Sequence, residues 1–105
     1  MATLTEQEFS RHVNTNFRVK LDTPQPIDLK LVEVKGYAKR GEEESGMERF
    51  SLFFTGPANV ILQQHLYPLA HDAMGELEIF LVPIARTDDG FRYEAVFNYF
   101  KEKAL

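Results

Sequence analysis

His65 and His71 stand six positions apart, with Asp72 and Glu76 close behind, and all four side chains are of kinds that bind metals or move protons. Their spacing matches no recognised metal motif. The competing reading is a pair of solvated or hydrogen-bonded imidazoles. His12 falls beside the apolar stripe of an expected helix and reads as half-buried packing. Acyl transfer would need a serine on a strained strand-to-helix turn, with a histidine and an acid in reach. Ser51 instead falls inside an apolar strand pattern, and Ser10 and Ser45 have no such context. The adjacent carboxylates Asp88-Asp89 and Glu42-Glu43-Glu44 lie in turn and loop sequence, where solvation gives them no distinct environments to separate their pKa values. Neither a Gly-x-Gly-x-x-Gly phrase nor a P-loop occurs. The expectation is therefore no catalytic residue, no metal ligand and no cofactor.

Arg49 and Glu94 differ from these because each belongs to a strand pattern that is otherwise nearly all apolar. They are expected to form a cross-strand ion pair that fixes register, with a ligand site as the alternative.

The elements that would position these groups are strands. Leu77 to Ile84 begins with strict alternation, Glu76 and Glu78 on one face and Leu77, Ile79 and Leu81 on the other. From Ile79 onward Phe80, Val82 and Ile84 make the second face apolar too. Phe50-Ser51-Leu52-Phe53-Phe54 repeats the pattern, with Phe53 on the second face. In Phe91 to Phe100 one face carries Phe91, Tyr93, Ala95, Phe97 and Tyr99, while Val96 and Phe100 share the other with Arg92, Glu94 and Asn98. These three strands are expected at the centre of one antiparallel sheet. Their surplus apolar residues, Phe53, Phe80, Val82, Val96 and Phe100, need cover from the helix, from sheet curl or from a partner.

Before them, Thr5 and Glu8 form a capping box and Leu4 and Phe9 a hydrophobic staple, predicting a helix from Glu6 to about Asn14. Phe17 to Leu21 alternates as a strand with Phe17, Val19 and Leu21 inward. Asp22-Thr23-Pro24-Gln25-Pro26 is turn chemistry. Ile27, Leu29 and Leu31 continue as a second strand whose phase slips at Leu31-Val32, the mark of a β-bulge, and Gly36 permits a bend. Lys39 to Met47 reads as an exposed acidic loop, Val60 to His65 as a short helical turn or loop, and Leu66 to His71 as a short strand that Pro68 confines to an edge or irregular position. Met74-Gly75 predicts a tight connection, Thr87-Asp88-Asp89-Gly90 a hairpin, and Lys101 to Leu105 a frayed end.

The 105 residues fit one domain spanning 1–105, large enough for a core, and nine Phe and four Tyr supply bulk for it. A formal charge of −4, with the Lys and Arg scattered, argues against nucleic acid and anionic membrane as partners. Zero Cys excludes disulfides, thiolate zinc and a cysteine nucleophile. No stretch has the length and apolarity of a signal peptide core or a membrane helix, so a cytoplasmic location is expected.

Arg49-Phe50-Ser51-Leu52-Phe53-Phe54, Phe80-Leu81-Val82-Pro83-Ile84 and Tyr93-Glu94-Ala95-Val96-Phe97-Asn98, in that order, resemble a family of small bacterial domains without assigned function. The resemblance also takes in Leu4 to Phe9, Phe17-Arg18-Val19 and Gln64 to Tyr67. It implies a stand-alone domain, similar to proteins encoded beside phage-tail-like components, and supplies no activity, cofactor or site residue.

The expected fold is mainly β (α+β): a small antiparallel curled sheet or partly open barrel of about six strands, with one N-terminal helix. The expected function is a non-enzymatic interaction or assembly module, self-associating or binding a protein partner through the second apolar face. The alternative is a small-molecule binding domain whose aromatic interior offers Tyr67, Tyr93 and Tyr99 as polar handles. An enzyme using His65 or His71 is the third reading.

Overall fold

The strands expected from alternation pair side by side until they meet themselves, in a computed structural model that describes residues 5–22, 26–37 and 47–100 and the side chains of 49–98 in the last stretch. After helix α1 (Glu6–Ser10) come β1 (Asn16–Val19), β2 (Ile27–Gly36), β3 (Met47–Gly56), β4 (His65–His71), β5 (Gly75–Thr87) and β6 (Gly90–Phe100). They close into an antiparallel barrel in the order β1-β2-β3-β6-β5-β4. As expected, β3, β6 and β5 are neighbours, with β6 in the middle.

The inward positions are those the alternation marked. Phe17 and Val19 from β1, Ile27, Leu29 and Leu31 from β2, Phe50, Leu52 and Phe54 from β3, Leu77, Ile79 and Leu81 from β5, and Tyr93 and Ala95 from β6 form the core. Burying a large apolar side chain contributes roughly 1.5–3 kcal/mol, so this inner wall is the main stabilising feature. The register shift in β2 falls between Leu31 and Glu33, where the phase slip predicted a bulge.

Closure is uneven. β3 and β6 pair along their whole length from Met47 opposite Phe100 to Gly56 opposite Phe91. β5 changes partner midway: Gly75 to Leu81 pairs with β4, and Val82 to Thr87 pairs with β6. The ring shuts between β1 and β4 at Arg18 opposite Ala70 and Val19 opposite Leu69, next to a Lys20 amide that donates to the Pro68 carbonyl at 2.8 Å. Pro68 sits where that short seam ends, so its missing N–H costs no ladder bond there.

Two local expectations are corrected, and the hairpin stands as expected. The helix stops at Ser10 because the hydrogen bonds tighten to three-residue spacing, Arg11 N–H to the Glu8 carbonyl and His12 N–H to the Phe9 carbonyl, and Asn14 then turns the chain at φ +73°. Its Thr5 cap is present, with Thr5 Oγ1 accepting from Glu8 N–H at 3.1 Å. Leu21 lies past the end of β1 and is exposed, because the strand ends at Val19. The hairpin loop is Asp88-Asp89, and Gly90 opens β6 at φ +140°. A Cβ on Gly90 would run into the Gly56 carbonyl oxygen, so glycine is required there by space as well as by φ. Residues 57–64 form no helix, leaving the loop alternative for that stretch. Leu4, residues 23–25 of the expected turn, residues 38–46 of the expected acidic loop and residues 101–105 lie outside the described residues; Met47 opens β3.

Candidate functional site: an outer apolar face and two clamped mouths

Closing the barrel turns the second face of the central strands outward. α1 packs on β2 and β3, with Phe9 reaching Phe97 of β6, and the outward Leu66, Phe80, Ile84 and Val96 of β4, β5 and β6 stay exposed. Phe80 on β5 lies opposite Leu66 on β4, and the two are 47% and 46% exposed. Val82 follows Phe80 on the same face and lies opposite Glu94, which itself lies opposite Phe53 on β3. Val96, next outward on β6, is 65% exposed, and Ile84 is 45% exposed at the β5 bulge. Phe53 and Val82 are half-buried. The register thus brings Phe53, Phe80, Val82 and Val96 onto one continuous outer surface, while the Phe100 side chain lies outside the described residues. Leu66 and Ile84 belong to that surface as well. The sequence offered a signal for Leu66 only once its pairing with Phe80 was known.

Arg49 and Glu94 are on neighbouring strands, as expected, but not opposite one another. Arg49 faces Asn98, and Glu94 faces Phe53 four positions along β3. The Glu94 carboxylate accepts from Ser51 Oγ at 2.8 Å, which explains how a serine with no exposed surface sits on the outer face.

The histidines separate. His65 and His71 occupy opposite ends of β4, about 20 Å apart at roughly 3.3 Å per residue. Glu76 turns to Lys20, 2.8 Å from its Nζ, and that hydrogen bond and charge hold its carboxyl below the usual range. Among the described residues no group of three His, Cys, Asp or Glu gathers as a metal would need. His71 instead points inward and meets His12 and Phe17, with ring centroids at 4.7 and 4.3 Å. Its Nδ1 accepts from the backbone N–H of Ala73 at 3.0 Å and of Met74 at 3.1 Å. Its Nε2 lies 2.9 Å from Thr15 Oγ1, whose hydroxyl donates to the His12 carbonyl at 2.6 Å. With Thr15's proton committed to His12, His71 must carry its proton on Nε2 and donate it to Thr15. Burial, and then the His12 charge, push the His71 pKa down; Asp72 opposes them. A polar surface cavity of ≈ 270 Å³ lies alongside, lined by Asn16, Arg18, Asp28, Ala70, His71 and Asp72. His12 is half-buried, as the sequence predicted, and its Nε2 lies 3.2 Å from Glu8 Oε2.

At the other mouth, two tyrosines do similar work on the connection between β3 and β4. The Leu62 N–H donates to Tyr93 Oη at 2.8 Å, and Tyr67 Oη donates to the Gln63 carbonyl at 2.6 Å. Burial raises both tyrosine pKa values. These hydroxyls are engaged with the chain's own backbone, and both rings belong to the buried core with Leu29, Phe54 and Leu62. The Tyr99 side chain lies outside the described residues.

No helix among the described residues is long and apolar enough to cross a membrane. Compared with known proteins, residues 4–97 match the family model described as a domain of unknown function (DUF6916). No curated protein and no solved structure matches the chain.

Proposed function

The chain belongs to the family of domains of unknown function DUF6916, and from that premise we propose that it is a non-enzymatic interaction module whose docking surface is the outer face of β4, β5 and β6. The observation that carries the reading is the exposed cross-strand pair Leu66 and Phe80 with Val96 beside them. Leu66 and Phe80 support each other across the strands but leave nearly half of their area in water, so they gain further when a second surface covers them. A partner protein or a second copy of the chain supplies that cover. The resemblance to small bacterial domains points further, to a cytoplasmic assembly role beside phage-tail-like components.

Light scattering across a micromolar to sub-millimolar series tests the self-association arm. The expected result is a mass that rises with concentration and falls to the monomer in Phe80→Asp, with unchanged circular dichroism. The paired variant Val96→Asp should act alike, because its side chain is the most exposed of the set. A mass that rises equally in the wild type and both variants would overturn the assignment of this face. For a heterologous partner, the same two substitutions must abolish co-purification of whatever assembles with the tagged wild type.

A further inference from the structure

We propose that His71 is a proton-operated latch, which holds the α1 segment over its mouth of the barrel while neutral and loosens it when protonated. The inference stands on geometry. His71 closes the β4–β5 turn by accepting two backbone N–H groups on one ring nitrogen, and it holds the chain after α1 by donating from the other to Thr15. Thr15 is in turn tied to the carbonyl of His12, so one imidazole spans the start of β1, the turn that follows α1 and the turn that follows β4. Only the neutral Nε2–H form fits this arrangement. A proton added at Nδ1 would face the N–H groups of Ala73 and Met74, and three donors would then meet with no acceptor between them, so the charged ring leaves this seat and gives up Thr15 with it.

The charges around the ring act in one net direction. On the α1 side stand His12 and, bonded to it, Glu8; on the turn stands Asp72; and the cavity beside the ring brings Arg18 from β1 and Asp28 from β2. The His12 ring stands 4.7 Å from the His71 ring, centroid to centroid, and its charge opposes a proton on His71. Asp72 attracts that proton, but burial and His12 outweigh it.

What the latch covers is apolar. Phe9 of α1 packs against Phe17, Phe50 and Phe97 with centroids 6.4, 5.9 and 5.6 Å apart, and Phe50 and Phe97 stack at 4.7 Å. Loosening α1 therefore opens an aromatic mouth to solvent in acid.

Long-range proton–nitrogen correlation spectra of the wild type from pH 8 to pH 5 test the latch without requiring any variant to fold. The expected pattern is His71 in the Nε2–H form at pH 7.5, titrating below the ordinary imidazole value near 6.5. As it titrates, the hydrogen-exchange protection factors of the Phe9 and His12 amides should fall by about tenfold or more, reporting local opening. His71→Asn keeps a side-chain acceptor for the Ala73 and Met74 amides but cannot take a proton at this pH, so its α1 protection factors should stay level over the same range. An Nδ1–H form at neutral pH, titration of His71 at or above the ordinary value near 6.5, or α1 protection that does not change as His71 titrates would each overturn the proposal.

Discussion

The two mouths of the barrel are held by the same device made from different chemistry. At one, Tyr93 and Tyr67 fasten residues 62 and 63 by single hydrogen bonds from buried or nearly buried rings. At the other, His71 fastens the turn after β4 and the chain after α1. A phenol buried this way stays neutral through the physiological range and beyond, whereas an imidazole begins from a value near 6.5. The hydrogen bonds of one mouth therefore do not run through a ring that titrates in mild acid, and those of the other do. The arrangement of donors teaches the same point: each tyrosine makes one bond that tolerates adjustment, while His71 makes three that fix its protonation state.

The largest way to break the comparison is to remove the plug itself. Phe9→Ala empties a fully buried ring at the histidine mouth and should cost about 3–5 kcal/mol, measured by urea unfolding. Loss confined to a few tenths would mean that the mouth collapses around the gap, and that α1 holds less of the core than its contacts imply. Tyr93→Phe comes next. It strands the buried Leu62 N–H and should cost about 1–3 kcal/mol.

Titration separates the mouths by sign. His71 has a folded pKa below its unfolded one, so its contribution is complete above about 6.5 and is lost as pH falls from there through the lower folded value. Tyr93 and Tyr67 have folded values raised by burial, so theirs is complete below about 10 and is lost as pH rises through the higher folded values. Unfolding monitored by circular dichroism between pH 7.5 and 5.5 should show the acid limb in the wild type and a flatter one in His71→Asn. Between pH 9 and 11 the basic limb should be reduced in Tyr93→Phe. Equal acid limbs in wild type and His71→Asn would assign that limb to other groups.

Much of the barrel wall was legible because alternation is local: each inward residue announces its neighbours two positions away, and the Leu31-Val32 slip marked the bulge within one residue. The Thr5–Glu8 cap was legible for the same reason. The clamps were not. His71 and Thr15 are 56 residues apart, Ser51 and Glu94 are 43 apart, and Leu62 and Tyr93 are 31 apart, and no pattern in the chain couples such positions before the strand order is known. The same ignorance of order set Arg49 against Glu94 when the register sets Asn98 there. The partner change of β5 was hidden too, because a strand apolar on both faces looks alike whether its second face is a core or an outer surface. The outer residues Phe53, Phe80, Val82 and Val96 were nonetheless singled out in advance, since surplus apolar character is visible without topology.

The smallest effects sharpen the comparison most. Thr15→Val and Tyr67→Phe each delete one hydroxyl, one from each mouth, with little change in volume. At pH 7.5 each should cost about 1 kcal/mol, the net worth of a hydrogen bond of this kind. At pH 5.5 they should part. The Thr15 hydroxyl accepts from the Nε2–H of neutral, latched His71, and the charged ring gives that bond up, so its removal weighs on the neutral form and brings the folded pKa back toward the unfolded one. The folded and unfolded chains then differ less in proton uptake, and the cost of Thr15→Val falls in acid. Tyr67 Oη donates to a neutral backbone carbonyl rather than to a titrating ring, with the His65 ring 5.4 Å from its own ring, centroid to centroid, so the cost of Tyr67→Phe should change less between the two pH values than that of Thr15→Val. Parallel losses for the two variants would mean that the histidine at position 71 holds its mouth no differently from the tyrosines.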